Sequence, residues 1–515
     1  MIVVYHSDNK ITQVVTQDHQ EIEFDEADSI ALGLQKLAVQ FADQKLVWCQ
    51  VTYKESLNLE GLETVFHHRK MMLSYNPNDI IFFDSKIGYV ETTPFIKVNK
   101  KVSYPTWQMS SLAGAVHASV LLALRNEIVH TDNFDYFLSS LAKLGMPLGL
   151  LCYSEPCLLK RGFVKGPSSP KANSYTLFQF VKQHYRPQWV FLMLLNLIIY
   201  EKQFPIIPFL WSLFFKQMSF SETILNSIEV QSTKKIVQER AIDVIIPTIG
   251  RRKYLYDVLK DFRNQTLLPK KVIIVEQNPE EGSQSELDYI QGESWPFEIS
   301  HLFIHQSGAC NARNLALDQI QNEWVFLADD DNRFGCTLLA DVLDKIEQFG
   351  NEVVTVSYLQ QGENKIYNKI KQWGTFGAGN SFVRNNLIDK VRFNRALEFG
   401  YGEDADFGIQ LRNLGADILY LPEPDILHLK APIGGFRTKP VLAWHGDVIQ
   451  PKPSPTVMLY QLLHLSKEQQ RSYKTTLFFK YYKAQKIKNP IRYFINFRKQ
   501  WAKSLYWANE LKKTG

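Results

Sequence analysis

The sequence predicts an α/β protein built on a largely parallel sheet, and three observations carry that expectation. Short apolar runs alternate with segments of helical period through residues 239–430. Several of these runs end in polar or acidic residues, as strands do where an open α/β sheet presents its ligand face. A fainter echo of the same order runs through residues 1–160.

The elements follow in order. Ile242-Asp243-Val244-Ile245-Ile246-Pro247 is a short apolar run closed by proline, which reads as a strand. Leu255, Val258, Leu259 and Phe262 then recur at helical spacing. Lys271-Val272-Ile273-Ile274-Val275-Glu276 is a second strand, Ser307 to Ile320 a turn and helix, and Trp324 to Ala328 a further strand. Leu338, Leu339, Val342, Leu343 and Ile346 mark the next helix.

The echo is read from matching order. Ser29 to Leu37 leads to Leu46-Val47-Trp48-Cys49 as Ser307 to Leu317 leads to Trp324-Val325-Phe326. Trp107 to Gly114 parallels Trp373 to Gly379, Asp135-Tyr136-Phe137 parallels Asp406-Phe407, and Tyr153 to Pro156 parallels Tyr420 to Pro424. A tandem duplication is the expected explanation, chance similarity between two α/β sheets being the alternative. Where the second copy has Asp329-Asp330-Asp331 the first has Gln50-Val51-Thr52, and Asp132-Asn133-Phe134 stands for Gly402-Glu403-Asp404. The first copy is therefore expected to keep the scaffold without the chemistry. The expected domains are 1–160, a linker and helical bridge over 161–238 (Gly162 to Ser174 being the linker), a second α/β domain over 239–450, and a helical tail over 451–515.

Composition sets the class. A chain of 515 residues has room for two or three domains, and 45% hydrophobic residues fit globular ones. A net charge of +5 over this length is too small to imply nucleic-acid binding. Five cysteines without metal-type pairing, and an N-terminus without a basic start or long apolar stretch, suit a cytoplasmic protein. The apolar block Trp189 to Tyr200 is too short to span a membrane, and Glu201-Lys202-Gln203 separates it from Pro205 to Phe215. A pair of buried helices is expected there, a membrane-surface hairpin being the alternative.

Four segments of the second domain carry chemistry. Pro247-Thr248-Ile249-Gly250-Arg251-Arg252 follows a strand and opens a helix, where backbone amides and arginines suit phosphate; Glu276-Gln277-Asn278 ends the next strand and suits a nucleobase, a plain turn being the alternative. Ser307 to Asn314 is a polar turn entering a helix, with Arg313 and Asn314 facing the same crevice. Asp329, Asp330 and Asp331 end an apolar strand; alternation lets Asp329 and Asp331 share a face, and clustered carboxylates favour Mg²⁺ or Mn²⁺. Phe399 to Phe407 sets two glycines, expected to admit substrate, before Glu403-Asp404 at a helix start, where helix capping is the competing explanation.

Together these segments resemble the family 2 glycosyltransferases of the GT-A fold, over residues 240–432. The resemblance implies a nucleotide-diphospho-sugar transferase domain with a Rossmann-like mixed sheet, preceded by a degenerate GT-A-like copy. It implies a metal on Asp329 and Asp331, a base at Asp404 with Glu403 as second candidate, and inverting transfer from a UDP-sugar. Gly377 to Ser381 resembles the stretch lining the donor sugar. Gly400-Tyr401-Gly402-Glu403-Asp404 is similar to the corresponding region of β-1,4-galactosyltransferases, with one glycine fewer. In that group and in polypeptide N-acetylgalactosaminyltransferases a histidine completes the metal site, which implies His428 here. Donor contacts are expected from Pro247, Thr248, Arg251, Glu276, Arg313, Asn314, Asp330, Gly379 and Asn380. Lys430 or Arg437 is expected at the diphosphate, and Gly434 to Arg437 as a lid.

From Arg471 to Lys513 the tail holds twelve Lys and Arg against one acid, Glu510, interleaved with aromatics. This suits an anionic membrane surface, the alternative being a basic helix that packs its aromatics on the catalytic domain. The expected partners are the nucleotide-sugar, a glycan or lipid-linked acceptor and the inner face of the cell membrane, in cell-surface glycan assembly. A non-catalytic glycan-binding scaffold is the main rival. A sugar nucleotidyltransferase fits less well, because Arg251-Arg252-Lys253 matches its loop poorly.

Overall fold

The computed structural model describes residues 1–78, 81–127, 133–163, 170–432 and 440–513. By compactness the chain forms two units, Met1–Lys234 with Ser466–Thr475 and Lys235–Leu465 with Thr476–Gly515. Residues 161–238, expected as a bridge, do not stand apart. Leu177, Phe178, Phe180 and Val181 of the helix Ser174–His184 are buried in the core of the first unit.

The first unit holds a seven-stranded sheet: β1 (Ile2–Ser7), β2 (Lys10–Thr16), β3 (Lys45–Gln50), β4 (Met71–Tyr75), β5 (Tyr104–Pro105), β6 (Ala113–His117) and β7 (Leu151–Ser154), in the order β2-β1-β3-β6-β4-β7-β5. The second has nine: β8 (Ile242–Thr248), β9 (Lys271–Gln277), β10 (Glu298–Ile304), β11 (Trp324–Ala328), β12 (Asn332–Phe334), β13 (Val353–Gln360), β14 (Lys371–Gln372), β15 (Asn380–Arg384) and β16 (Ile418–His428). Their order is β10-β9-β8-β11-β15-β13-β16-β12, with β14 on β16. The sheet is mixed rather than largely parallel. β10, β9, β8 and β11 run parallel, and β15 reverses against both β11 and β13.

Five pairings of the first sheet recur in the second with the same directions. β3 is parallel to β1 as β11 is to β8, and β6 is antiparallel to β3 and β4 as β15 is to β11 and β13. β7 is parallel to β4 as β16 is to β13, and β5 is antiparallel to β7 as β14 is to β16. The sheets differ at one edge, where β2 folds back antiparallel on β1 while β9 runs parallel to β8.

The ladders also align residues. Cys49 faces Ala113 as Ala328 faces Asn380, so Gln50, Val51 and Thr52 take the places of Asp329, Asp330 and Asp331. Ser111 then stands where Ala378 does. Its amide donates to Asp135, the second residue of the helix Phe134–Gly145, at 2.8 Å. The Ala378 amide donates to Asp404, the second residue of the helix Glu403–Asn413, at 3.2 Å. Asp135 thus matches Asp404 rather than Asp406, two residues from the match read off the sequence. Of the expected Asp132-Asn133-Phe134 equivalent, Asp132 lies outside the described residues.

β11 is positioned from below and on both faces. All five of its residues are buried, as in a strand covered on two sides, and Phe326 stacks on Phe382 of β15 at 4.3 Å between centroids. Asp243 of β8 is fully buried and accepts from the Gln321 and Asn322 amides at 2.7 and 2.9 Å, which fixes the turn leading into β11. The acids that follow β11 therefore leave a rigid strand end.

The two apolar blocks of the first unit form the helix Gln188–Asn196, its extension Leu197–Glu201, and the helix Ile206–Ser212. They are not wholly buried: Val190, Met193 and Phe209 face the core, while Phe191, Phe204, Ile207 and Phe214 face outward. In the tail helix Pro490–Leu511 the aromatics also divide, Tyr493, Phe497 and Trp501 packing inward and Phe494 and Tyr506 remaining exposed. No helix among the described residues is long and apolar enough to cross a membrane.

Candidate functional site

The acidic triplet opens into a cleft of about 410 Å³. Pro247, Thr248 and Arg251 line it from the end of β8, Gln277 from β9, and Ser307, Gly308 and Arg313 from the turn and helix Ala309–Leu317. Asp329, Asp330 and Asp331 line it from the end of β11, with Glu398, Phe399, His428 and Lys430 opposite.

Alternation after β11 separates the three acids. Asp330 turns back to the β8 loop, where its Oδ2 accepts from Thr248 Oγ1 at 2.7 Å and its Oδ1 from Arg251 at 2.6 Å. Burial pushes the Asp330 carboxyl up, to about 6, and Arg251 and Thr248 offset only part of that. Asp329 and Asp331 face the other way. Their carboxylates and the His428 imidazole bring ligand atoms within 4.8 Å of one another.

His428 reaches this place because β16 pairs with β12, setting His428 opposite Asn332. Its ring stacks on Tyr358 of β13, 4.5 Å between centroids and 8° between planes. The Tyr358 hydroxyl in turn lies 3.1 Å from Asp329 Oδ2 and 2.7 Å from Asn332 Oδ1, so its single proton is shared between the two acceptors. Beyond His428 the chain is tied to the triplet: the Leu429 amide donates to the Asp331 carbonyl at 3.0 Å and the Ala431 amide to Asp331 Oδ2 at 2.8 Å.

Burial alone would raise the Asp331 carboxyl, but His428, the Ala431 amide and Arg251 outweigh it and hold it below the usual carboxylate range. Its Oδ1 is buried without a hydrogen-bond partner, 3.5 Å from His428 Nε2. An orphaned carboxylate oxygen between a second carboxylate and an imidazole is a donor set that fits a divalent cation, Mn²⁺ or Mg²⁺.

Arg313 connects this trio to the expected base. Its Nη2 donates to Asp329 Oδ1 at 3.0 Å, and its Nη1 lies 3.9 Å from Asp404 Oδ1. Asp404 Oδ1 has no hydrogen-bond partner, while Oδ2 accepts the Ala378 amide. Desolvation by the surrounding wall raises the Asp404 carboxyl against the pull of Arg313. Burial, with Asp404 beside it, pushes Glu403 up to about 7. Neither acid lines the cleft itself; Arg313, which does, is their link to it.

The glycines before Glu403 have a structural cause. A Cβ on Gly400 would meet Thr456 at 2.4 Å, and one on Gly402, at φ +114°, would meet Tyr460 at 3.2 Å. The helix Pro455–His464 thus packs directly on this segment, where the sequence suggested space for substrate. The Tyr401 amide donates to Thr456 Oγ1 at 3.1 Å, and His464 Nε2 lies 2.6 Å from Asp406 Oδ1, holding the start of the catalytic-type helix from the same side.

Other expected donor contacts are already engaged. Asn314 donates to the Phe393 carbonyl and accepts its amide, both at 2.8 Å, because a residue one position past Arg313 turns to the far side of the helix. Glu276 is taken up by His301, Ser285 and the Glu286 amide, and its neighbour Gln277 reaches the cleft instead. Asn380 is buried against Thr355 and the Val356 carbonyl. Gly379 serves Asp329, since a Cβ there would stand 2.2 Å from Asp329 Oδ2. Arg251 lines the cleft but is paired to Asp330 and Asp331. The expected lid, Gly434 to Arg437, lies outside the described residues.

Glu398 was not foreseen. Its carboxylate accepts the Cys310 and Asn311 amides at 2.9 Å each and so caps the helix that carries Arg313. Gly308 lets it approach: φ is +146°, and a Cβ would strike the carboxylate at 2.6 Å. The Gly308 beside a helix start was the only sequence signal for this contact.

Residues 243–401 match the family model described as Glycosyl transferase family 2. The GalNAc(5)-diNAcBac-PP-undecaprenol beta-1,3-glucosyltransferase of Campylobacter jejuni is 24% identical over 185 residues, 33% of this chain and 59% of the relative. The chain thus spans less than two thirds of that protein's length. Among solved structures, S. aureus TarS 1-349 in complex with UDP-GlcNAc is 18% identical over 45% of this chain and 70% of its own, with a TM-score of 0.35. The complex of the same TarS fragment with UDP is 19% identical over 37% and 61%, with a TM-score of 0.32.

Proposed function

We propose that the second unit is a metal-dependent, inverting glycosyltransferase that moves a hexose or N-acetylhexosamine from a UDP-sugar to a hydroxyl of a glycan or lipid-linked acceptor, in cell-surface glycan synthesis. One observation carries this reading: Asp329, Asp331 and His428 converge at a cleft that Arg313 joins to Asp404. The family match over residues 243–401 supports the reaction class. The C. jejuni relative's name, with its undecaprenol-linked glycan, supports a lipid-linked acceptor. The preference for UDP rests on the motif resemblance.

Asp329, Asp331 and His428 would hold the cation, which would supply charge neutralisation at the departing diphosphate. Arg313 keeps Asp329 oriented and holds positive charge between the two acidic groups. Asp404 accepts the proton of the acceptor hydroxyl as that oxygen attacks the anomeric carbon, and its buried Oδ1 has no competing hydrogen-bond partner. Lys430, at the cleft wall, would meet the phosphates of a bound donor.

The first unit is read as a copy of the same scaffold without the metal acids. The shared strand pairings support this, as does the filling around Gln50, where His6 Nε2 donates to the Ser111 carbonyl and the ring packs edge-on against Phe134. The exposed Phe494 and Tyr506 among tail cations support contact with a lipid surface.

Calorimetric titration of the full chain with Mn²⁺ and UDP, followed by a screen of UDP-sugars for metal-dependent hydrolysis, tests the proposal. Heat on titration and turnover of one donor are expected. Absence of heat together with an unchanged melting temperature favours a scaffold instead.

A further inference from the structure

The first unit presents an apolar surface that its fold does not use. The helix Gln188–Asn196 and the helix Ile206–Ser212 bury one side each, through Val190, Met193 and Phe209. Their other side carries Phe191, Phe204, Ile207, Leu210, Trp211 and Phe214 into solvent. Phe204 and Ile207 are each 69% exposed and Phe214 is 88% exposed. Ile207, Leu210 and Trp211, three and four residues apart, share one face of the helix Ile206–Ser212, and Phe204 and Phe214 flank its two ends. Scattered exposed apolar residues need no explanation, whereas a run of six aromatic and aliphatic side chains does.

The charges around the patch select its occupant. Between Arg186 and Phe220 the sole acid is Glu201, and its Oε1 is held by Arg471 at 2.9 Å and by the Tyr89 hydroxyl. Arg186, Lys202 and Lys216 are exposed around the apolar face. Lys202 sits at φ +56° in the turn between the two helical segments, at the end of the hairpin. A second copy of this chain docking here would bring like cations together across a self-complementary contact, which opposes it. An anionic lipid surface offers hydrocarbon for the side chains and phosphate for the cations.

We propose that residues 186–216 dock on an anionic lipid bilayer, entering its interface without spanning it. The aromatic and aliphatic side chains sit at the headgroup–acyl boundary, and Arg186, Lys202 and Lys216 lie at phosphate depth. This docking is independent of the transferase reading and of any contact made by the tail.

Flotation of the full chain with vesicles of mixed phosphatidylglycerol and phosphatidylethanolamine tests it. Wild-type protein is expected to float, and floating is expected to weaken with added salt or with phosphatidylcholine alone. The triple variant Phe204→Ser, Ile207→Ser, Phe214→Ser should lower the bound fraction by about ten-fold or more. These side chains are exposed, so its thermal melt should match the wild type. The Asp331→Ala protein should float like wild type, which separates docking from catalysis. The proposal is overturned if wild type fails to float, or if the triple variant floats equally well. A concentration-dependent dimer in light scattering that disappears in the triple variant, without a change in flotation, would assign the face to a second copy instead.

Discussion

Arg313 and Asp329 form a 3.0 Å hydrogen-bonded ion pair whose other guanidinium nitrogen points to Asp404, 3.9 Å away. The pair is buried on the arginine side, and Asp329 and Asp404 outweigh burial to keep the guanidinium charged. A planar fork serves two carboxylates where an ammonium serves one. Arg313→Lys should therefore fold but lose turnover, by about 10²–10³ in kcat if it removes one positioned charge contact. Steady-state kinetics on the preferred donor checks this, and wild-type kcat in the lysine variant would remove Arg313 from the mechanism.

Asp331→Ala removes the orphaned oxygen and a carboxylate paired with Arg251. Calorimetry should find Mn²⁺ binding weakened beyond detection and turnover abolished. His428→Ala should weaken the metal less, because both carboxylates remain. Equal Mn²⁺ affinity in wild type and Asp331→Ala would move the cation elsewhere.

Much of this site is legible before folding because its residues sit at strand ends. The run Trp324 to Ala328 announces a buried strand, and alternation beyond it assigns Asp329 and Asp331 to one side. What the chain does not announce is partnership across long separations. Gly400 and Gly402 look like room for substrate until Thr456 and Tyr460, more than fifty residues later, pack against them. Glu276 and Gln277 are adjacent polar residues, and only the position of His301 on β10 decides which one is consumed. The apolar block from Trp189 reads as core by composition, and only the packing of its inner half leaves the outer half exposed.

The acid pair makes activity depend on pH above the ordinary carboxylate range. Glu403 is pushed up to about 7 by burial and by Asp404, and the Asp404 carboxyl is raised as well. A base must be ionised, so kcat/KM should rise with pH through an acid limb displaced above the ordinary aspartate range. In Glu403→Gln the neighbouring negative charge is gone, and the limb should move to lower pH. Asp404→Asn should keep donor affinity and lose about 10²–10⁴ in transfer. A limb that stays put in Glu403→Gln would mean another group sets it.

Gly400→Ala places a methyl 2.4 Å from both Thr456 Oγ1 and Cγ2. The helix Pro455–His464 must shift, at a cost of about 1–3 kcal/mol typical of overpacking. Because the shifted segment leads into Glu403 and Asp404, activity should fall more than metal affinity. Comparing the melt, the Mn²⁺ titration and kcat of this one variant distinguishes displaced acids from general unfolding.

The first unit should be acid-sensitive for reasons built into its core. Glu91 is buried beneath Lys143, Tyr185 and Trp107, pairing with Lys143 at 2.5 Å and accepting from the other two at 2.7 and 2.8 Å. Burial alone would raise its carboxyl, but Lys143, the Tyr185 hydroxyl and the Thr93 amide outweigh it and bring it to about 2. Its folded value lies below the unfolded 4.5, so its stabilisation is complete above 4.5 and is lost as pH falls toward 2. His67, His68 and His184 act earlier. Burial lowers them to about 2, 3 and 3, and the unfolded chain takes up their protons below 6.5, so stability begins to fall there. Lys143→Met reverses the Glu91 contribution by leaving a buried carboxylate unpaired, which should cost about 3–5 kcal/mol at neutral pH. The loss should shrink toward pH 4, where that carboxyl can take a proton, and the added change Glu91→Gln should recover most of it at pH 7. Chemical denaturation of the three proteins at pH 7 and pH 4 reads both effects; a Lys143→Met penalty independent of pH would mean that the lysine acts by packing on Trp107 and Tyr185 rather than by charge.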